Sequence, residues 1–143
     1  MNDRYAAIAV GDALPEQVHR PTPVQLFRYS AVTYNSHRIH YDAAYAGVEG
    51  YPGVLVHSHL HGAFLTRLCT DWMTPSGRLV SLSLQVKRFA TPEHTLTCRG
   101  WVTGKDVVDG EGHVTVRIEE ARDDGEVCAP GEAVVAFPLE GAR

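Results

Sequence analysis

The chain has 143 residues, 44% hydrophobic and 21% charged, which suits one globular domain large enough to bury a real core. Its formal net charge of −4 counts against a nucleic-acid partner, which would favour a basic face. No apolar run approaches the ~20 residues of a membrane span. Met1–Val10 carries Asp3 and Arg4, a short apolar run and no convincing cleavage site, so no secretory signal is read. Cys69, Cys98 and Cys128 are odd in number and widely spaced. They read as reduced, partly buried thiols of a cytoplasmic protein rather than a disulfide framework or a zinc knuckle.

Gly11, Pro15, Pro21 and Pro23 break up the first third, so its early strands must be short. Thr22-Pro23 looks like a helix start, with Thr22 as N-cap and Pro23 at the first helical position. Val24, Phe27, Ala31 and Tyr34 follow at helical intervals, although the β-branched content leaves a strand possible. A short helix ending in the Asn35–His40 loop is favoured. Asp42 can cap a further turn over Ala43 to Gly47, and Gly50-Tyr51-Pro52-Gly53 is a break. From about His57 to Trp72–Met73, Leu60, Phe64, Leu68 and Trp72 recur at four-residue spacing, with Ala63 and Leu65 widening the stripe. This is the long central helix, expected over about residues 57–73. Leu79–Phe89, Leu96–Thr103, His113–Ala121 and Ala133–Phe137 read as strands. The turns expected between them lie at Gly104–Asp109, Asp123-Asp124-Gly125 and Pro130-Gly131. One long helix followed by an antiparallel meander predicts an α+β architecture, with the sheet wrapped over that helix. Such a sheet leaves an edge and a face to cover, which favours a dimer.

The stretch Asn35-Ser36-His37-Arg38-Ile39-His40-Tyr41-Asp42 places an amide, two imidazoles, a guanidinium and a carboxylate in eight residues, without a hydrophobic period. A second histidine-rich segment, His57-Ser58-His59-Leu60-His61-Gly62, opens the long helix. A polar loop facing a helix N-terminus suits a negatively charged transition state.

The order of elements resembles the hotdog fold, and Tyr34–Asp42 resembles the hydratase loop of the MaoC-like dehydratases. Phe27–Asn35 with His37–Asp42, then Glu49–Gly53 and Val56-His57, are most similar to the hydroxyacyl-thioester dehydratase and mesaconyl-CoA hydratase branch. The likeness runs from about Gly11 to the last strand, and its specific part is Phe27–His61. It implies a single hotdog domain over 1–143. The implied activity is reversible hydration of a trans-2-enoyl thioester carried by coenzyme A or acyl carrier protein, without metal or redox cofactor. The acyl group could be short and branched or dicarboxylic. In the general pattern an Asp lies five residues before a His, and the two hold the attacking water. Here His40 fills the His position and Asn35 the Asp position. The helix entry, usually His-Gly, is His57-Ser58-His59.

Water addition to C3 needs a base, a proton for C2 and stabilisation of an enolate at the thioester oxygen. Histidine suits the first two because its pKa of ~6.5 lies near working pH. The Asn35 amide can position water but cannot remove a proton. The sequence therefore favours a one-base cycle: His40 takes a proton from water and returns it to C2, and the amide of Ser58 at the helix start receives the enolate oxygen. Asn35 could equally be a turn former or helix C-cap. His37 and Arg38 read as loop-fixing residues or carrier contacts, with Arg38 able to pair with a coenzyme A phosphate or with Asp42. His57 is expected to line the pocket entrance or bond the motif loop, and His59 and His61 to meet substrate or a partner subunit. A zinc reading of the three histidines has no accompanying carboxylate or cysteine set in the nearby sequence. Three classes remain: a hydratase or dehydratase, a hotdog thioesterase, and a non-catalytic acyl-thioester-binding subunit of a hotdog heterodimer. Thioesterases usually rely on a carboxylate base, which Asn35 does not offer. The expected assembly is a homodimer or higher hotdog oligomer.

Overall fold

A computed structural model describes residues 4–139; Met1–Asp3, part of the segment inspected for a signal, lie outside the described residues. The element order is α1 (Arg4–Ala7), β1 (Gln17–His19), α2 (Pro23–Val32), a 3-10 turn (Arg38–His40), α3 (Ala43–Val48), α4 (Ser58–Met73), β2 (Arg78–Leu84), β3 (Leu96–Val108), β4 (Glu111–Arg122) and β5 (Val127–Pro138). Five antiparallel strands form one sheet in the order β1-β3-β4-β5-β2. The sheet curls around α4, as the hotdog resemblance implied. The meander holds for β3–β5, whereas β2 crosses to the far edge beside β5.

α4 begins and ends where its apolar period does. Leu60, His61, Phe64, Leu65, Leu68 and Cys69 are its buried residues, so the apolar face is broader than one stripe because the curled sheet covers more than one side. Burying each large aliphatic or aromatic side chain contributes roughly 1.5–3 kcal/mol, and four such residues fix the helix under the sheet. Trp72 is half-buried and meets Phe137 edge-on at 5.8 Å. All three cysteines are reduced and buried. Burial pushes the Cys69 and Cys128 thiols up to about 11. It also raises that of Cys98, reinforced by the neighbouring Glu120 carboxylate.

α2 starts as its sequence dictates: Thr22 Oγ1 accepts from Gln25 N at 3.1 Å, and Pro23 opens the helix. Its face differs from the expected one. Leu26 and Ser30 are buried, while Val24, Phe27 and Val32, with Tyr34 just beyond the helix, are exposed. The inward side is set by Ser30, which must meet a buried histidine described below.

Three strand boundaries also depart from expectation. The β3–β4 turn is Asp109-Gly110, both at positive φ (51° and 80°), flanked by the pair Val108 and Glu111. Gly104 instead lies within β3, next to a register shift after Val102. Asp-Gly is the tighter hairpin signal because both positions tolerate the left-handed region. Pro130-Gly131, read as a turn, lies inside β5 opposite Glu119 and Ile118. Gly131 lacks a Cβ where the Ser83 carbonyl and Leu84 of β2 approach, so the dipeptide lets β2 close on β5. β2 accordingly stops at Leu84, before the expected Phe89.

Candidate active site

The end of α2 builds the polar loop. Tyr34 (φ 53°) takes the left-handed position after the helix. Asn35 N donates to Ser30 O at 3.0 Å and Tyr34 N to Ala31 O at 3.4 Å, the pair of bonds that closes a Schellman terminus. Asn35 is thus one residue beyond the left-handed position. Its Oδ1 accepts from His37 N at 3.1 Å, an Asx turn that redirects the chain. Tyr41 Oη donates to Ser36 O at 2.8 Å and closes the loop. Asp42 caps α3 through Tyr45 N at 3.1 Å and receives Arg38 Nη2 at 2.6 Å. The Arg38 guanidinium holds the Asp42 carboxyl below its ordinary range, aided by the Tyr45 amide. Arg38 also lies over the Tyr45 ring at 4.5 Å, and exposed His37 sits 3.7 Å from Glu49. His37 and Arg38 are therefore held by loop partners.

His40 ends the 3-10 turn and is buried. Its Nδ1 lies 2.8 Å from Leu55 O, while Leu55 N donates to Ile39 O at 2.9 Å. A carbonyl can only accept, so Nδ1 carries the proton and Nε2 keeps its lone pair. Burial lowers the His40 pKa below 6.5, partly offset by the Leu55 carbonyl and reinforced by His37. His40 is thus a neutral imidazole with a defined accepting atom.

Behind it stands His57, 1% exposed. The two rings stack at 3.8 Å and 16°, and His57 Nε2 lies 2.8 Å from Ser30 Oγ. Burial, with the imidazoles of His40, His59 and His61, pushes His57 down to about 4. His57 bonds α2 and supports His40 from behind. It occupies the N-cap of α4 without a side-chain cap. Leu60 N and His61 N both turn back to His57 O, and the amides of Ser58 and His59 precede the first intrahelical bonds.

Ser58 and His40 line one cavity of about 470 Å³, with His61, Tyr51, Val86 and Phe89 among the other walls. Ser58 also lines a larger cavity of about 940 Å³, with His59, Tyr29 and Leu84. Asn35 belongs to a third, of about 290 Å³, with Phe27, Tyr34 and Tyr41. The structure therefore brings together His40, Ser58 and, from behind, His57. It does not place Asn35 in the cavity of His40.

His57, His59 and His61 diverge: towards Ser30, into the larger cavity, and into the core against Glu120. Among the described residues, no group of three or more His, Cys, Asp or Glu side chains is placed to hold a metal ion. Glu120 went unnoticed in the sequence although a signal existed. Val114, Val116 and Ile118 alternate inward along β4, and the same alternation carries Glu120 into the core.

A family model described as hydroxyacyl-thioester dehydratase type 2 matches residues 7–90. The chain is 52% identical over 60 residues to a mesaconyl-C(4)-CoA hydratase of Chloroflexus aurantiacus, covering 41% of this chain and 21% of that protein. It is 48% identical over 40 residues to the mitochondrial hydroxyacyl-thioester dehydratase type 2 of Schizosaccharomyces pombe, covering 27% and 13%. The match thus spans about a fifth or less of these curated relatives. The R-hydratase PhaJ1 of Pseudomonas aeruginosa, in unliganded form, superposes with a TM-score of 0.84 at 24% identity, over 97% of this chain and 88% of that one. The likeness confirms the hotdog fold.

Proposed function

The chain belongs to the hydroxyacyl-thioester dehydratase type 2 family, and from that premise we propose that it adds or removes water across the 2,3 double bond of an enoyl thioester carried by coenzyme A or acyl carrier protein. The observation that carries this reading is a neutral His40, fixed in one tautomer, sharing a cavity with the amide end of a 16-residue helix.

In hydration, the Nε2 lone pair of His40 takes a proton from water as oxygen attacks C3. The electrons of the double bond move towards the thioester oxygen, which the Ser58 amide and the helix dipole stabilise. His40 then returns the proton to C2. One oxyanion donor contributes about 3–4 kcal/mol to such a transition state. Ser58 lies at the junction of two cavities, so an acyl chain can occupy the smaller while its carrier arm follows the larger. Asn35 shapes the loop that presents His40, and Arg38 and His37 brace it. The cycle needs only the chain, water and the thioester. We further assign a dimer as the working form, because β2 ends the sheet with an open edge.

Incubation with crotonyl-CoA or mesaconyl-CoA, followed by mass spectrometry, is expected to show a gain of one water. His40→Ala is expected to lower kcat at least about 100-fold, the lower end of general acid–base contributions. Full rate in that variant would overturn the mechanism, and release of free thiol without a hydrated product would point to thioester hydrolysis instead.

A further inference from the structure

Glu120 is 0% exposed and lies on the inward face of β4. A buried carboxylate is costly unless paired. Its partners are His61 Nδ1, and Cys98 Sγ at 3.7 Å from Oε2. A pair of hydrophobic residues would hold α4 against β4 at least as well, so packing does not account for this arrangement. The other ring nitrogen of His61, Nε2, is buried without a hydrogen-bond partner, a condition that is unfavourable unless a ligand supplies the missing bond. His61 lines the cavity that holds His40 and Ser58. It sits in the first turns of α4, where side chains lean back towards the helix start. Meanwhile Asn35 Oδ1 already accepts from His37 N, and Asn35 lines a different cavity.

We infer that His61, held by Glu120, is a second catalytic residue that accepts a hydrogen bond from the attacking water, or from the 3-hydroxyl of the hydrated product. The inference rests on the hydratase reading above. With the carboxylate on the Nδ1 side, the ring proton belongs there and the Nε2 lone pair is left without a partner in a residue that lines the cavity, the logic of a carboxylate–histidine pair. Water offers two hydrogens. One goes to His40 Nε2 and is transferred; the other is held by His61 Nε2; an oxygen lone pair then forms the bond to C3. The π electrons shift to the thioester oxygen, and His40 delivers its proton to C2. One water is gained and both histidines return to their starting state. Glu120 acts as a positioning residue through His61.

The test uses the purified full chain in two assays. Turnover is followed with crotonyl-CoA, and calorimetry compares binding of 3-hydroxybutyryl-CoA with butyryl-CoA. Replacing His61 alone would strand a buried carboxylate and could prevent folding, so the decisive variant is the double His61→Leu/Glu120→Leu. It is expected to fold, by circular dichroism, and to lose kcat about 100-fold with KM within about threefold. Glu120→Gln is expected to lower kcat by a smaller factor, again with KM little changed. The wild type should prefer the 3-hydroxy ester and the double variant should not. If the folded double variant keeps both kcat and the preference while His40→Ala is inactive, the pair is structural and the inference fails alone. If the wild type binds the esters without hydrating crotonyl-CoA, the hydratase reading fails; the binding preference then decides the His61 contact by itself. Binding of neither ester overturns both.

Discussion

At the scale of single residues, the chemistry of this site is set by which histidine nitrogen is occupied. His40 was legible from its motif, but its tautomer depended on Leu55, 15 residues away in sequence. Asn35 was legible as a turn former; no local signal could show that it lines a cavity other than the one His40 lines. Because burial holds His40 below 6.5, the acid limb of kcat/KM for hydration should lie below pH 6.5, measurable as a rate that is retained through pH 6.5 and falls only in more acid buffer. His57 makes a separate prediction about stability. Between pH 6.5 and about 4 the unfolded chain protonates this ring and the native chain does not. Stability should be full above 6.5, decline as pH falls through that window, and level off below about 4, a loss on the order of 3 kcal/mol. Urea midpoints across pH 4–7 would measure it. Ser30→Ala, which strands His57 Nε2, should cost about 1–3 kcal/mol in the same assay.

Secondary-structure elements were legible where one physical signal dominated. α4 was readable because its apolar spacing persisted over four turns, and α2 because Thr22-Pro23 is a cap with a fixed φ. The face of α2 was not, because Ser30 is drawn inward by a histidine that follows 27 residues later. Nor were the ends of β2 and β5, where Pro130-Gly131 serves strand approach instead of reversal. Two substitutions separate these causes. Thr22→Ala should destabilise by about 1 kcal/mol through the lost cap. Leu65→Ala, at a site with 0% exposure, should cost about 2–5 kcal/mol through a cavity beneath the sheet. Chemical denaturation distinguishes the two by size.

For the whole molecule, a sheet wrapped on one helix leaves the β2 edge open and Val24, Phe27, Val32 and Tyr34 on the outside. Light scattering is expected to report twice the chain mass of 15.7 kDa. No helix among the described residues is long and apolar enough to cross a membrane. The three enclosed cysteines give the same architecture a use of another kind. Cys69 lies on the central helix, Cys98 on β3 and Cys128 on β5, and their thiols are both shielded and reluctant to ionise. An alkylating reagent can therefore react only when the protein opens. The chain carries three native clocks, and the order in which they are labelled would show whether the sheet peels from its outer strand or the whole fold opens at once.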